Sequence, residues 1–255
     1  MGIKLKGQDC DTNDFLSVTI KEKRRLAIKS VLVVLVLDYF FYQSFLAVIP
    51  LSVIGCFYYR MEKGALLERK KEIAREQFKE LMLLASTGQK AGYSPENAFI
   101  SSYQDMKALY GKESTICHMI QALRSGRENN IAFSRLWKQM GNQLGIAEIS
   151  EFASVYEISH QCSGNMASVM EKTASVIVHK IETEKEISIL LSARGLEQKI
   201  MNAMPFLIML YINLTSPGYF RGLYHSMSGV LLMTICLMIY LAAYVWSVRI
   251  VSIRV

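Results

Sequence analysis

The chain has 255 residues, 51% of them hydrophobic, and carries 29 Lys/Arg against 22 Asp/Glu for a net charge of +7. This length suits one large domain or two small ones. Residues 60–199 hold 19 basic and 17 acidic side chains, whereas a nucleic-acid-binding face needs a basic stripe on the folded domain, so nucleic acid is excluded as a partner. The surplus positive charge instead flanks apolar runs, where it orients membrane segments.

Residues 1–25 are mostly polar and are expected to form a cytoplasmic N-terminal segment rather than a cleavable signal, since no small-residue cleavage site follows a short apolar core. Residues 26–59 form the first apolar region, in which only Lys29 and Asp38 are charged. A straight helix of that length would measure about 50 Å, too long for a hydrocarbon core about 30 Å thick. The polar break from Asp38 to Ser44 divides it into two short runs, and both outer flanks are basic. A hairpin that goes out and comes back is therefore expected, with Asp38 at its tip; a hairpin that never fully crosses gives the same topology.

Residues 60–199 read as a cytoplasmic helical domain. Apolar side chains recur at helical spacing at Phe99, Met106 and Tyr110, at Phe133, Leu136, Trp137, Met140 and Leu144, at Ile149, Phe152, Ala153, Tyr156 and His160, and at Met166, Val169, Met170, Thr173 and Ile177. No stretch alternates as a strand does. Ser94-Pro95-Glu96 supplies a cap, a first-turn proline and a first-turn acid. Gly92, Gly111, Gly145 and Gly164 stand at expected turns. The pattern predicts a bundle of about six helices with short connections.

Residues 200–248 predict a second transmembrane hairpin, with Pro205 inside its first run, a Pro/Gly-rich turn, and Val230–Val248 as the longest clean span; residues 249–255 return as a cytoplasmic tail. The whole is an all-α protein: a cytoplasmic bundle flanked by two membrane hairpins, with both termini cytoplasmic. The five cysteines lack framework spacing and are odd in number, as in a reducing compartment.

H-Q-C-S-G-N, residues 160–165, invites a metal reading with Cys117-His118. Zinc sites bring C-x₂₋₄-C or H-x₃₋₅-H spacing, and these pairs are adjacent or one apart, so the stretch is read as a helix boundary with His160 on an apolar face. The chain also lacks a phosphate-binding G-x-x-x-x-G-K-[ST] and the hydrolase motifs G-x-S-x-G and H-E-x-x-H. No cofactor is expected.

Four stretches in order, L-M-L-L-A-S-T-G-Q-K-A-G-Y-S-P-E-N-A-F (81–99), G-R-E-N-N-I-A-F-S-R-L (126–136), S-G-N-M-A-S-V-M-E-K-T-A (163–174) and L-S-A-R-G-L-E-Q-K-I-M-N-A-M-P-F (191–206), carry a resemblance. They are similar to the type II secretion system F family of membrane platform proteins, and to its TadB/TadC-like branch of Tad (Flp-type) pilus machines, over roughly residues 70–250. The resemblance implies a non-catalytic role in the bacterial inner membrane, as a multi-pass protein. A secretion ATPase would contact the cytoplasmic domain, pilin subunits would pass through the membrane part, and a second platform protein or another copy would complete the assembly. Arg69, Lys70, Lys71, Arg124 and Arg127 are candidate partner contacts, the triplet either for the ATPase or for anionic membrane lipid; each also suits a solvated helix face. Gly195 is either a hinge before the membrane or a point of close packing. A small membrane transporter and a membrane-anchored enzyme are the alternatives.

Overall fold

The computed structural model describes residues 19–42, 48–161, 166–216, 218–219, 222 and 226–251. Among them all regular structure is helical. In chain order the helices are α1 (Ile20–Phe41), α2 (Val48–Lys90), α3 (Pro95–Ser101), α4 (Tyr103–Tyr110), α5 (Thr115–Glu128), α6 (Phe133–Leu144), α7 (Ala147–Gln161), α8 (Met166–Thr215) and α9 (Met227–Val251). The chain divides into two compact units. Of the described residues, one contains 65–183, and the other 19–64 and 184–251. Helices α2 and α8 contribute residues to both.

In the first unit, α6 follows the spacing read from sequence: Phe133, Leu136, Trp137, Met140 and Leu144 are all buried. Gly145 closes that helix at φ +63°, a left-handed conformation that costs glycine nothing, and Ile146 N donates to Gly141 O at 3.1 Å. The chain then turns directly into α7, which lies antiparallel to α6. Trp137 meets Phe152 with ring centroids 5.4 Å apart, and Phe133 meets Tyr156 at 5.2 Å. Phe78 from α2 and Phe99 from α3 approach Trp137 edge-on at 5.5 and 5.3 Å. Edge-to-face aromatic pairs contribute about 0.5–1.5 kcal/mol each beyond their burial. They offset the cost of the Trp137 Nε1–H, which is buried without an acceptor.

Local signals worked where predicted. Ser94 Oγ accepts from Asn97 N at 3.4 Å with Pro95 opening α3, and Gly92 adopts φ +94° at the preceding turn. Ser102 separates α3 from α4, its hydroxyl donating to Ala98 O at 2.8 Å. Three of the expected stripe positions need correction. Tyr110, at the end of α4, is exposed. His160 is exposed, because the buried face of α7 ends at Ser159. On α8 the buried stripe is Met170, Ala174, Ile177 and Ile181, with Val169 turned outward. Gly164 and Cys162 lie outside the described residues.

The second unit buries a smaller apolar cluster, Val34, Leu37, Phe41, Leu51, Met233 and Leu237. Phe206 of α8 packs edge-on against Phe40 at 5.7 Å and Tyr240 at 5.3 Å. Helices α1 and α2 approach closely at Gly55, whose carbonyl accepts from Ser30 Oγ at 2.7 Å; a Cβ there would lie 2.6 Å from Val34 Cγ2. Tyr42 and Thr234 hydroxyls share a hydrogen bond at 2.9 Å. The outward surface is apolar as well: Met201 is 78% exposed, Trp246 73% and Leu231 63%.

Among the described residues one helix, Ser228–Ile250 within α9, is long and apolar enough to cross a membrane. The other three expected spans do not reach that measure. Arg24 and Arg25 with Lys29 and Asp38 shorten the uncharged part of α1, Arg60, Glu62 and Lys63 cut short the apolar start of α2, and Asn202 and Asn213 dilute the end of α8. Asp38 itself belongs to α1 rather than to a turn, since that helix continues to Phe41.

A Cβ at Gly141 would stand 2.8 Å from Ser150 N and clash with Ser150 Oγ. Gly141→Ala is therefore expected to cost about 1–3 kcal/mol, because backbone rather than a side-chain tip must move. Gly64→Ala meets nothing within 4 Å and is expected to gain up to about 1 kcal/mol of helix stability. Thermal unfolding of the purified variants measures both; equal melting temperatures for the two would refute the close approach of α6 and α7.

Candidate functional site

The five cations singled out from sequence lie on two helices. Arg69, Lys70 and Lys71 follow one another on α2: Arg69 is exposed, Lys70 half-buried, and Lys71 pairs with Glu68 at 3.2 Å. Arg124 and Arg127 stand on the last turns of α5. Arg124 pairs with Glu128 at 3.5 Å, and Arg127 Nη1 donates to Asn97 Oδ1 of α3. Both are exposed where the carboxyl end of the helix favours positive charge. The triplet lies on α2 and the arginine pair on α5, so the structure offers two cationic faces rather than one combined site.

Arg124 borders a groove of about 370 Å³ between α3–α4 and α5, lined also by Ser101, Tyr103, Gln104 and Gln121. Gln121 Nε2 donates to the Tyr103 hydroxyl at 2.8 Å across its floor. Ile100 and Ile120 make its lining mostly apolar, with the amides, the hydroxyls and one guanidinium around them, and Arg is the cation most enriched at protein interfaces. Gly195 lies inside α8, which continues through it to Thr215.

Sequence reasoning missed the ionic centre of the first unit. Glu148, in the first turn of α7, is almost fully enclosed. Arg75 of α2 donates to it from Nε at 3.2 Å and from Nη2 at 2.7 Å, and Lys180 Nζ of α8 lies at 3.2 Å. Burial pushes the carboxyl pKa up, but the hydrogen bonds from Arg75 and Lys180 and its own helix N-terminal amide outweigh it and hold the group below the ordinary range. Lys79, also mostly enclosed, sits within 3.6 Å of Glu76, Glu80 and Glu182; burial alone would lower its pKa, and the three carboxylates raise it. One signal was available. Glu148 stands four residues before Phe152 and eight before Tyr156, an apolar-face position that an acid occupies only with partners.

Among the described residues no group of three His, Cys, Asp or Glu side chains is placed to hold a metal ion. Cys117 is buried in the core and His118 lies 3.7 Å from Glu113. No family model, curated protein or solved structure matches the chain.

Removing Arg75 leaves the buried carboxylate with Lys180 alone, so Arg75→Ala is expected to cost up to about 3 kcal/mol, whereas Arg75→Met with Glu148→Leu recovers much of that loss by removing both charges. The folded pKa of Glu148 is depressed below an unfolded value of about 4.3, so its stabilisation is complete above that pH and disappears as pH falls through the folded pKa. Urea unfolding as a function of pH, wild type against Glu148→Gln, measures this. Parallel pH profiles would show that the carboxylate contributes nothing.

Proposed function

We propose that this chain is an inner-membrane platform protein of a type II secretion or Tad pilus-like machine, with the unit of residues 65–183 and both termini in the cytoplasm. The observation that carries this reading is the contrast between the two units. The first buries a large apolar core around Trp137 and leaves scattered apolar side chains such as Ile73, Leu109 and Ile158 exposed. The second turns apolar side chains outward from α1, α2, α8 and α9 alike, a surface far too extensive for a soluble monomer. In this reading the four helices lie in the bilayer as two hairpins, and the three short stretches are accommodated by local thinning and by flanking Lys and Arg reaching the interface.

The cytoplasmic unit then receives a secretion ATPase, and the Arg124 groove with Arg127 beside it supplies a contact face. The membrane unit passes pilin subunits to the fibre, beside a second platform protein or another copy of the chain. The order of the four sequence stretches that resemble the family supports this assignment, as does the insertion of a helical unit between apolar regions.

A tagged protein taken from bacterial membranes in mild detergent is expected to bring with it a hexameric ATPase, a pilin-like subunit or a second platform protein. Arg124→Gln with Arg127→Gln is expected to lower recovery of the ATPase while costing no more than about 1–2 kcal/mol of stability, the loss of two cations at a helix carboxyl end. Extraction of the protein by alkaline carbonate would overturn the membrane placement, and purification without any of these partners would overturn the machine.

One observation favours a second reading, a small transporter. Asp38 lies in an apolar helix with Oδ1 enclosed and without a hydrogen-bond partner, and ionisable groups at membrane depth mark ion pathways. Asp38→Asn separates the two: cation-coupled uptake lost on that substitution supports transport, whereas unchanged fibre assembly or secretion supports the platform.

A further inference from the structure

The second unit encloses a cavity of about 310 Å³, at the lower end of the range of about 300–1,000 Å³ typical of ligand pockets. All four helices build it: Val36 from α1, Phe57 and Tyr58 from α2, Phe206 from α8, Tyr240 and Tyr244 from α9. Its walls carry no formal charge, and their polar atoms include the three tyrosine hydroxyls. Val36 and Phe57 are also exposed on the outward apolar surface, which places the mouth of the cavity there. An α-helix with side chains is at least about 10 Å across and so about 80 Å² in section, and this volume would admit less than one turn of it. The shape suits a thinner apolar chain.

Charge specifies the other end of the ligand. Lys29 stands one turn before the α1 residues of the wall, Arg60 lies one turn beyond Phe57 and Lys63 one turn beyond Arg60, round the helix from the wall, and Arg249 follows the α9 residues by one turn. The acid among them on α2, Glu62, is bound to Lys29 at 3.1 Å, and Arg60 and Lys63 are exposed. An apolar slot beside an excess of cations at the end of a helix group matches a lipid with an anionic headgroup.

We propose that this cavity holds an acyl chain of an anionic phospholipid whose phosphate is bound by Arg60 and Lys63. The inference rests on the membrane reading above and adds a specific lipid site to it. The lipid would fill the space between the two hairpins and tie them together.

The test uses the full chain purified in mild detergent from membranes containing phosphatidylethanolamine and phosphatidylglycerol, with bound lipid identified by native mass spectrometry. Wild type is expected to retain one phosphatidylglycerol. Val36→Trp, which fills the slot, is expected to lose it, and Val36→Ala to keep it. Arg60→Gln and Lys63→Gln are each expected to weaken retention about fivefold, the contribution of one juxtamembrane cation. These two exposed sites keep the test decisive if the tryptophan variant fails to fold. Retention of phosphatidylethanolamine with equal avidity, retention unaffected by all of the substitutions, or a peptide in place of lipid would each overturn the proposal. An alkaline carbonate wash separates the two levels. Protein that stays in the membrane pellet yet binds no phosphatidylglycerol defeats the lipid site alone, and protein released by the wash defeats the membrane reading with it.

Discussion

Glu148 is a carboxylate kept out of water, and much of the first unit follows from the requirement that it be partnered. Burying an unpaired ion costs several kcal/mol after relaxation. Its two oxygens are therefore bound by a guanidinium from α2 and an ammonium from α8. That requirement sets the register of three helices separated widely in sequence. Aromatic packing alone is less exacting, since hydrophobic groups of similar volume can exchange places with little loss. A bidentate Arg–carboxylate pair admits one geometry, and Lys79 with its three glutamates adds a second polar tie between α2 and α8.

The second unit is organised on the opposite principle. Its interior is thin, held by edge-on contacts of Phe206, by the close approach at Gly55, and by hydroxyls that find partners on neighbouring helices. In lipid, helix association draws on close packing and interhelical hydrogen bonds because apolar burial supplies no driving force. On the proposed membrane placement, the contacts of Ser30 with Gly55 and of Tyr42 with Thr234 would serve in that way.

Helix type and the stripe of α6 were legible because 3.6-residue periodicity and glycine stops are local signals, strong at Phe133–Leu144 and at Gly145. The end of the α7 stripe at Ser159 was not legible, because helical spacing alone cannot say where the neighbouring helices stop covering it. His160 continues the period and still faces outward. The rotation of α8 to Ala174 and Ile181 escaped for a similar reason: alanine carries little apolar signal, and Val169 resembles a core residue in any scale. The cationic faces could be named from charge runs alone. Their separation onto α2 and α5 could not, since it depends on packing. Arg75 and Glu148 are 73 positions apart, and no local pattern reports a pair at that distance.

That separation also orders events during synthesis. A chain emerges at about 5–20 residues per second, so Lys180 leaves the ribosome about 2–6 seconds after Glu148. Until then α6 and α7 can already pack on each other through nearby residues, while the carboxylate has only Arg75. The first unit gains its last ion-pair partner as α8 is being made, just ahead of the second apolar region that α8 leads into. Delayed emergence of α8, by slow codons or a truncated message, would leave a nascent protein whose first apolar region is finished and whose helical unit is still open at one side, a natural substrate for chaperones and proteases.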